Sequence, residues 1–457
     1  DLSSLGLGVS GVDVIQLKHE FNIDSWDLAG FDLSFSKFRG FVGRQVNLKL
    51  ADLSNAFLWG SLLDSNAEDT VLYGARFFES DVFNSSFRRS DLSYSRIFDS
   101  SFASSDFSET VLDNAFISRT FFTNVDLQQS SWTRAYVGES SFTRVDFSNT
   151  TWRDVAVVTR SSFVDSDFRN ATLTAVTSRS DTDFSLCDFR NATLHSAELR
   201  GTSLMADWSN ATIRDSVLRG DLKYTRFANA SLFGSQLIGS VVGATMSGAD
   251  LSHASLEGTL GLSTVDLTGA RYNEYTTFPA GFDPLLYGLV FMPAVAGDMN
   301  GDGVLNVLDV DSFYAPVRHS SVELFDLDGD GIVTNDDRLQ WVRDVANTSA
   351  GDANLDGSFD SSDLVQLFQR NRYEVFDRRG KSDWSEGDFD GDRQFTSSDL
   401  VLAFRSGRYE QTEGATHAVP EPGSTAAWTY VLIVALAIFN RREPKMCSRI
   451  VTLIARK

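Results

Sequence analysis

The chain has 457 residues, with 40 lysines and arginines against 62 aspartates and glutamates, so its formal net charge is −22. No basic excess exists to release counterions from a phosphate backbone, which excludes a nucleic-acid binder of that kind, and 42% apolar residues is too many for a chain disordered throughout. Two cysteines, Cys187 and Cys447, exclude a disulfide scaffold and a cysteine-rich zinc site, and five scattered histidines form no local motif.

The chain opens at Asp1 with neither Met nor a signal peptide, and it reads as truncated or processed. Residues 1–30 are expected to form an N-terminal cap, with Val14 to Phe21 as a short amphipathic element. The 36 phenylalanines beside only 7 prolines then direct attention to a repeat. Every fifth residue from Leu62 to Val157 is apolar, twenty positions in succession, passing through Phe77, Phe102, Trp132 and Phe142. Two residues before each stands a small or slender one, such as Ser80, Ser85, Ser90, Ser95 or Ala115. Neither a helix period of 3.6 nor a strand period of 2 makes such a pattern. A square coil does, with one five-residue unit per side, and its coils must stack because none buries its own faces.

The register slips after Val157, recovers at Phe163, Phe168 and Leu173, and slips again before Phe184. It then holds through Phe189, Leu194, Leu199 and Leu204. Further slips surround Trp208 and Leu222, and the pattern ends through Leu232, Leu237, Val242, Leu251, Leu256, Leu262 and Leu267. Bulges or loops at corners would produce such one-residue slips.

The triplets Ala51-Asp52-Leu53, Ser90-Asp91-Leu92 and Ala249-Asp250-Leu251, and more loosely Ala171-Thr172-Leu173, resemble the pentapeptide-repeat family, whose motif is A(D/N)Lxx. The resemblance implies a mainly β protein, a right-handed quadrilateral β-helix over residues 31–272. About twelve coils at ~4.8 Å would make a rod roughly 58 Å long. Residues 273–296 are expected to cap or link it, with Phe278 to Phe291 covering the open end.

Asn149, Asn170, Asn191, Asn210 and Asn229 each stand three before an inward residue, and each opens an N-x-(S/T) sequon. An asparagine ladder along one edge is favoured over glycosylation. Some pentapeptide-repeat proteins mimic DNA and bind gyrase, which needs a dense acidic face. Here Arg76, Arg88, Arg89, Arg144, Arg153 and Arg190 interrupt the acids, so a gyrase-binding rod is the lesser alternative. No catalytic constellation is visible, and the chain reads as not an enzyme.

Residues 284–418 hold the acidic excess in four loops. The EF-hand pattern places oxygen ligands at positions 1, 3, 5, 7 (backbone), 9 and 12, with glycine at 6. The first loop supplies Asp298, Asn300, Asp302, Val304, Asn306 and Asp309, and the second Asp326, Asp328, Asp330, Ile332, Thr334 and Asp337. The third supplies Asp352, Asn354, Asp356, Ser358, Asp360 and Asp363, and the fourth Asp388, Asp390, Asp392, Gln394, Thr396 and Asp399. Such oxygen-rich loops suit Ca²⁺, a hard cation. Position 8 is apolar in each (Leu305, Val333, Phe359, Phe395) and is expected to pair with its partner loop. Position 12 is aspartate rather than the longer glutamate, and Arg393 stands where glycine is expected.

The flanks Ser361-Ser362-Asp363-Leu364-Val365 and Ser397-Ser398-Asp399-Leu400-Val401 resemble the dockerin family. The resemblance implies two small α-helical modules, 297–347 and 348–410, ordered by calcium and able to meet a cohesin-like partner.

After a linker at 411–418, the run Thr425 to Phe439 is apolar and Arg441-Arg442 follow it. At 1.5 Å per residue this helix is ~22 Å long, short of a ~30 Å hydrocarbon core. With Pro420-Glu421-Pro422 ahead, residues 419–442 resemble PEP-CTERM sorting signals. The resemblance implies export, at least transient membrane attachment through one C-terminal hydrophobic helix, and cleavage by an exosortase-type enzyme. A basic tail, 443–457, ends the chain. Together these readings describe an exported, calcium-binding structural or adhesive protein of the cell surface or matrix. The alternatives are a binding module with a cohesin-like or cell-surface partner and the gyrase-binding rod.

Overall fold

The computed structural model describes residues 21–410, apart from 159, 302, 315–324 and 376–380. Short parallel strands stack there into a β-solenoid of about 13 turns. Three-residue strands such as Arg76–Phe78, Arg96–Phe98, Phe116–Ser118 and Tyr136–Gly138 pair in register, so Phe77, Ile97, Ile117 and Val137 lie above one another. All twenty positions of the unbroken period are buried.

The stacking explains the phenylalanine content. Phe102, Phe122, Phe142, Phe163 and Phe184 form one column, with successive centroids 4.7 to 5.2 Å apart and nearly parallel rings. Phe147, Phe168, Phe189 and Trp208 form a second. Each buried ring contributes about 1.5–3 kcal/mol by burial and about 0.5–1.5 kcal/mol per aromatic pair.

The residue two before each inward one is small for space, and the structure adds a second reason. Ser100 Oγ accepts the N–H of Ser80, and Ser105 Oγ that of Ser85, each at 3.1 Å from the neighbouring coil. A hydroxyl thus satisfies a buried amide that the ladder leaves over. Cys187 takes such a place and donates its thiol to Phe163 O at 2.9 Å. The aspartate of the repeat triplet closes the turn, for Asp52, Asp91 and Asp250 accept the N–H groups of Ser54, Ser93 and Ser252 at 2.8 to 3.0 Å. Stacking also sorts some acids into a column, Asp106, Asp126, Asp146, Asp167, Asp188 and Asp207, bridged coil to coil. Arg169 and Arg190 pair with its later members.

Two residues past each inward one the backbone turns left-handed, as at Asn84 (φ 49°), Arg89 (58°), Tyr94 (58°) and Asp99 (50°). A side chain there costs about 1–2 kcal/mol, which cross-coil bonds such as Arg89 N to Ser108 O at 3.0 Å offset. The five sequon asparagines occupy one such corner, with φ between 55° and 60°. Asparagine tolerates that conformation through its short polar side chain. Asn170 also donates to Asn149 Oδ1 at 3.3 Å.

Several expectations are corrected. The coil starts by Phe21–Asn22, paired with Phe41–Val42, ten residues before the expected boundary at 31. Ser203 and Val241 turn inward, whereas Leu204 and Val242 are only partly buried. Those slips are shortenings rather than bulges. The five-residue strands Glu198–Thr202, Val217–Asp221 and Gln236–Ser240 run straight through a corner at Gly201, Gly220 and Gly239. A β-carbon on Gly220 would lie 1.8 Å from Gly201 O, so only glycine fits. At the far end Arg271–Tyr272 pairs with Val290–Phe291, and Phe278, Phe282 and Tyr287 pack against the core.

A second core follows, built on the helices Val307–Ser312, Asn335–Asp344, Ser361–Gln369 and Ser397–Arg405. Among the described residues no helix is long and apolar enough to cross a membrane. That finding overturns the expected surface location through a membrane-attached C-terminal helix. The run Thr425 to Phe439 lies outside the described residues, as do most of the expected N-terminal cap, the 411–418 linker, the 419–442 signal and the 443–457 tail.

Candidate metal centres

The four acidic loops share one backbone geometry. The position-1 carboxylate accepts the position-6 N–H in each: Asp298 from Gly303, Asp326 from Gly331, Asp352 from Gly357 and Asp388 from Arg393, at 2.8 to 2.9 Å. The position-12 aspartates Asp309, Asp337, Asp363 and Asp399 are wholly buried. One oxygen of each accepts the position-3 N–H, of Asn300, Asp328, Asn354 and Asp390. The other accepts the position-9 N–H, of Asn306, Thr334, Asp360 and Thr396. The position-9 side chains are helix N-caps and complete capping boxes with these aspartates. Ordering a loop therefore orders the helix it leads into.

The expected ligands converge unequally. Carboxylate oxygens of Asp326, Asp328 and Asp330 lie within 4.8 Å of one another, as do those of Asp388, Asp390 and Asp392. Two oxygens on one calcium ion, each at 2.3–2.6 Å, are at most about 5 Å apart, so both groups fit that ion. Loops one and three place Asn300 and Asn354 at position 3, and Asp302 lies outside the described residues. Asp356 N–H donates to Asn354 Oδ1 and Ser358 N–H to Asp356 Oδ1. The exposed Val304 and Ile332 carry position 7, and Gln394 N–H donates to Asp392 Oδ1 at 2.8 Å.

Arg393 does not spoil the fourth loop. It adopts φ 69° where the other three loops have glycine at 84° to 94°. Its guanidinium lies 3.8 Å from the Tyr314 ring centroid and donates to Tyr314 O at 3.2 Å.

The expected pairing of position 8 with the partner loop is corrected for loops three and four. Phe359 bridges Tyr409, and Phe395 bridges Tyr373. Each of these two loops meets the turn that follows the other's helix. Two matching aromatic triads result, Phe359 with Phe404 and Tyr409, and Phe395 with Phe368 and Tyr373. The duplicated triplet Arg-Tyr-Glu, at 372–374 and 408–410, was the sequence signal for this exchange.

The two halves share one core. Arg338 is buried, lies 4.2 Å from the Tyr314 ring and 4.8 Å from the Trp384 ring, and donates to Asp388 O at 2.7 Å. Trp384 N–H donates to Asp311 Oδ1 at 2.9 Å across the halves, and its Nε1 donates to Asp352 O at 2.8 Å within the second. The rod joins in, for Arg214 donates to Met299 O at 2.8 Å and Phe233 packs beneath Gly301.

Burial raises the carboxyls of Asp352, Asp363 and Asp388, and pushes Asp399 up to about 6. The folded chain then holds protons that the unfolded chain has released, so without metal its stability falls as pH rises from about 4 to about 6. Calcium requires the ionised carboxylates and reverses the trend. In chelator this half should melt higher at pH 5 than at pH 7, and in calcium lower. Scanning calorimetry at the two pH values checks both signs, and a higher transition at pH 7 in chelator would refute the first.

The family model for pentapeptide repeats matches residues 90–129 and 180–204, in eight copies. The chain carries pentapeptide repeats. No curated protein matches it. Among solved structures, the pentapeptide-repeat rod is similar to HetL of the cyanobacterium Nostoc, a pentapeptide repeat protein involved in heterocyst differentiation regulation. The identity is 17%, over 66% of this chain and 96% of that one, with a TM-score of 0.13. It is similar to QnrB1, a plasmid-mediated fluoroquinolone resistance protein, at 20% identity over 43% and 84%, with a TM-score of 0.14. A mannuronic-acid-specific family 6 polysaccharide lyase from human gut microbiota matches at 11% over 64% and 88%, with a TM-score of 0.23.

Proposed function

We propose that the chain is a non-catalytic structural rod of pentapeptide repeats whose C-terminal half is a calcium-ordered module. The observation that carries this reading is the convergence of the Asp326, Asp328, Asp330 and Asp388, Asp390, Asp392 carboxylates within ion-binding distance. Calcium suits an all-oxygen donor set better than a metal that favours nitrogen or sulfur. The shared backbone geometry extends the assignment to the loops at Asp298 and Asp352. Because positions 9 and 12 also cap the helices, the ion would order the helical faces as well as the loops. Calorimetric titration of the full chain tests this. Asp330→Ala and Asp390→Ala should each lower the calcium stoichiometry by about one, and an unchanged stoichiometry in both would reject the assignment.

A partner-docking role has one supporting observation. Val365 and Val401 hold equivalent positions in the duplicated helices and are 55% and 66% exposed. A protein partner of cohesin type would find the same apolar face presented twice.

A further inference from the structure

A cleft of about 1090 Å³ lies between the rod and the loop module. Its floor is the outer face of the strands Thr151–Arg153, Thr172–Thr174, Thr193–His195 and Thr212–Arg214. Arg153, Thr174, His195 and Arg214 stand in register there, one per strand. At ~4.8 Å per strand, Arg153 and Arg214 are about 14 Å apart along the floor. The loop module contributes Arg372, Lys381 and Arg393 to the same lining. Cations of the rod and of the loop module thus line one recess, in a chain whose net charge is −22. Like charges in a partly desolvated cleft repel more strongly than on open surface.

The carboxylates of the cleft are mostly engaged elsewhere. Asp250 accepts Ser252 N–H and lies 3.8 Å from Arg271. Asp298 accepts from Gly301 and Gly303, and Asp311 accepts Trp384 N–H at 2.9 Å. Arg372 is paired with Glu386 at 3.3 Å. Arg153, Lys381 and Arg393 enter no ion pair among the described residues, and Asp154 lies on the lining as well. Arg393 occupies a left-handed position that its three sister loops give to glycine. The His195 imidazole reports both rod and loop module, because burial and then Arg214 and Arg393 depress it to about 4.

We propose that this cleft binds a small, multiply charged anion whose carboxylate or phosphate oxygens bridge Arg153 on the rod to Lys381 and Arg393 on the loop module. Thr174, Thr212, Asn229 and Ser231 line the same recess and offer hydroxyl and amide partners to its uncharged polar groups. Asp298 and Asn300 of the first loop also line the cleft, while the anion's charged contacts are assigned to Arg153, Lys381 and Arg393.

Isothermal titration of the full chain, with calcium in excess, tests the site with three probes: succinate, fructose 1,6-bisphosphate and fructose. Saturable binding of either anion at one per chain, with none of fructose, is expected. Preference for succinate would identify carboxylate as the recognised group, and preference for the bisphosphate would identify phosphate. Arg153→Gln and Lys381→Gln, both at exposed side chains, should each weaken the anion about tenfold through loss of a charge-assisted contact. Arg119→Gln, whose guanidinium is paired with Asp99 elsewhere on the rod, should leave it unchanged. Failure of both anions to bind, or equal affinity in wild type and both cleft variants, overturns the proposal.

Discussion

Excess calcium is expected to raise the melting transition of residues 297–410 by at least about 20 °C over that in chelator, and to leave the rod's transition where it is. One site held at a hundred times its dissociation constant adds about 2.7 kcal/mol. The two loops with converging carboxylates alone would add about 5 kcal/mol, and each kcal/mol moves a domain of this size by about 4–8 °C. The four loops share one core, in which Arg338 donates to Asp388 O and Trp384 N–H donates to Asp311 Oδ1, tying the first pair to the second. Ligation at any loop therefore stabilises all of them. Calorimetry of the full chain in calcium and in chelator measures the shift. Superimposable thermograms would leave the loops as acidic turns held by their own backbone bonds.

The rod should yield to a single inward charge. Phe102 is fully buried, stacks on Phe122 at 4.9 Å, and meets Phe77 and Phe107 edge-on at 5.8 and 5.4 Å. Phe102→Ala removes those contacts and should cost about 3–5 kcal/mol. Phe102→Asp adds an unpaired charge in a column of rings and should cost more. Each coil of a solenoid touches only its neighbours, so damage there separates the coils before it from those after it. The rod's single melting transition should then split or drop sharply, while the calcium-dependent one persists. An unaltered circular dichroism melt of Phe102→Asp would refute the stacked-coil account.

The period of five was legible because it is local. Each inward residue repeats the same environment, so twenty positions carry one signal, and all twenty are buried. The acidic loops were legible for the same reason, since the candidate ligands of each lie within twelve residues. Where the period slipped, the sequence offered two neighbours for each inward place. Leu204 is more apolar than Ser203, yet Ser203 turns inward. The choice belongs to coil closure, for the backbone crosses the corner at Gly201 with φ 128° and advances the register by one.

The membrane-attached location had only composition and order behind it, and the described helices do not supply the span. Arg393 looked like a defect because its compensation lies far away in sequence, in the ring and carbonyl of Tyr314. Arg338 would be placed on the surface by its type, and only packing between Tyr314 and Trp384 takes it inside. The sequence by itself determined the repeat, its inward face and the acidic loops, because each is a short-range pattern enforced at every turn. The tertiary structure alone decided which loop meets which turn, which coils gain or lose a residue, and that cations from rod and loop module line one cleft. Those outcomes depend on contacts between segments up to about two hundred residues apart, whose geometry no local spacing encodes.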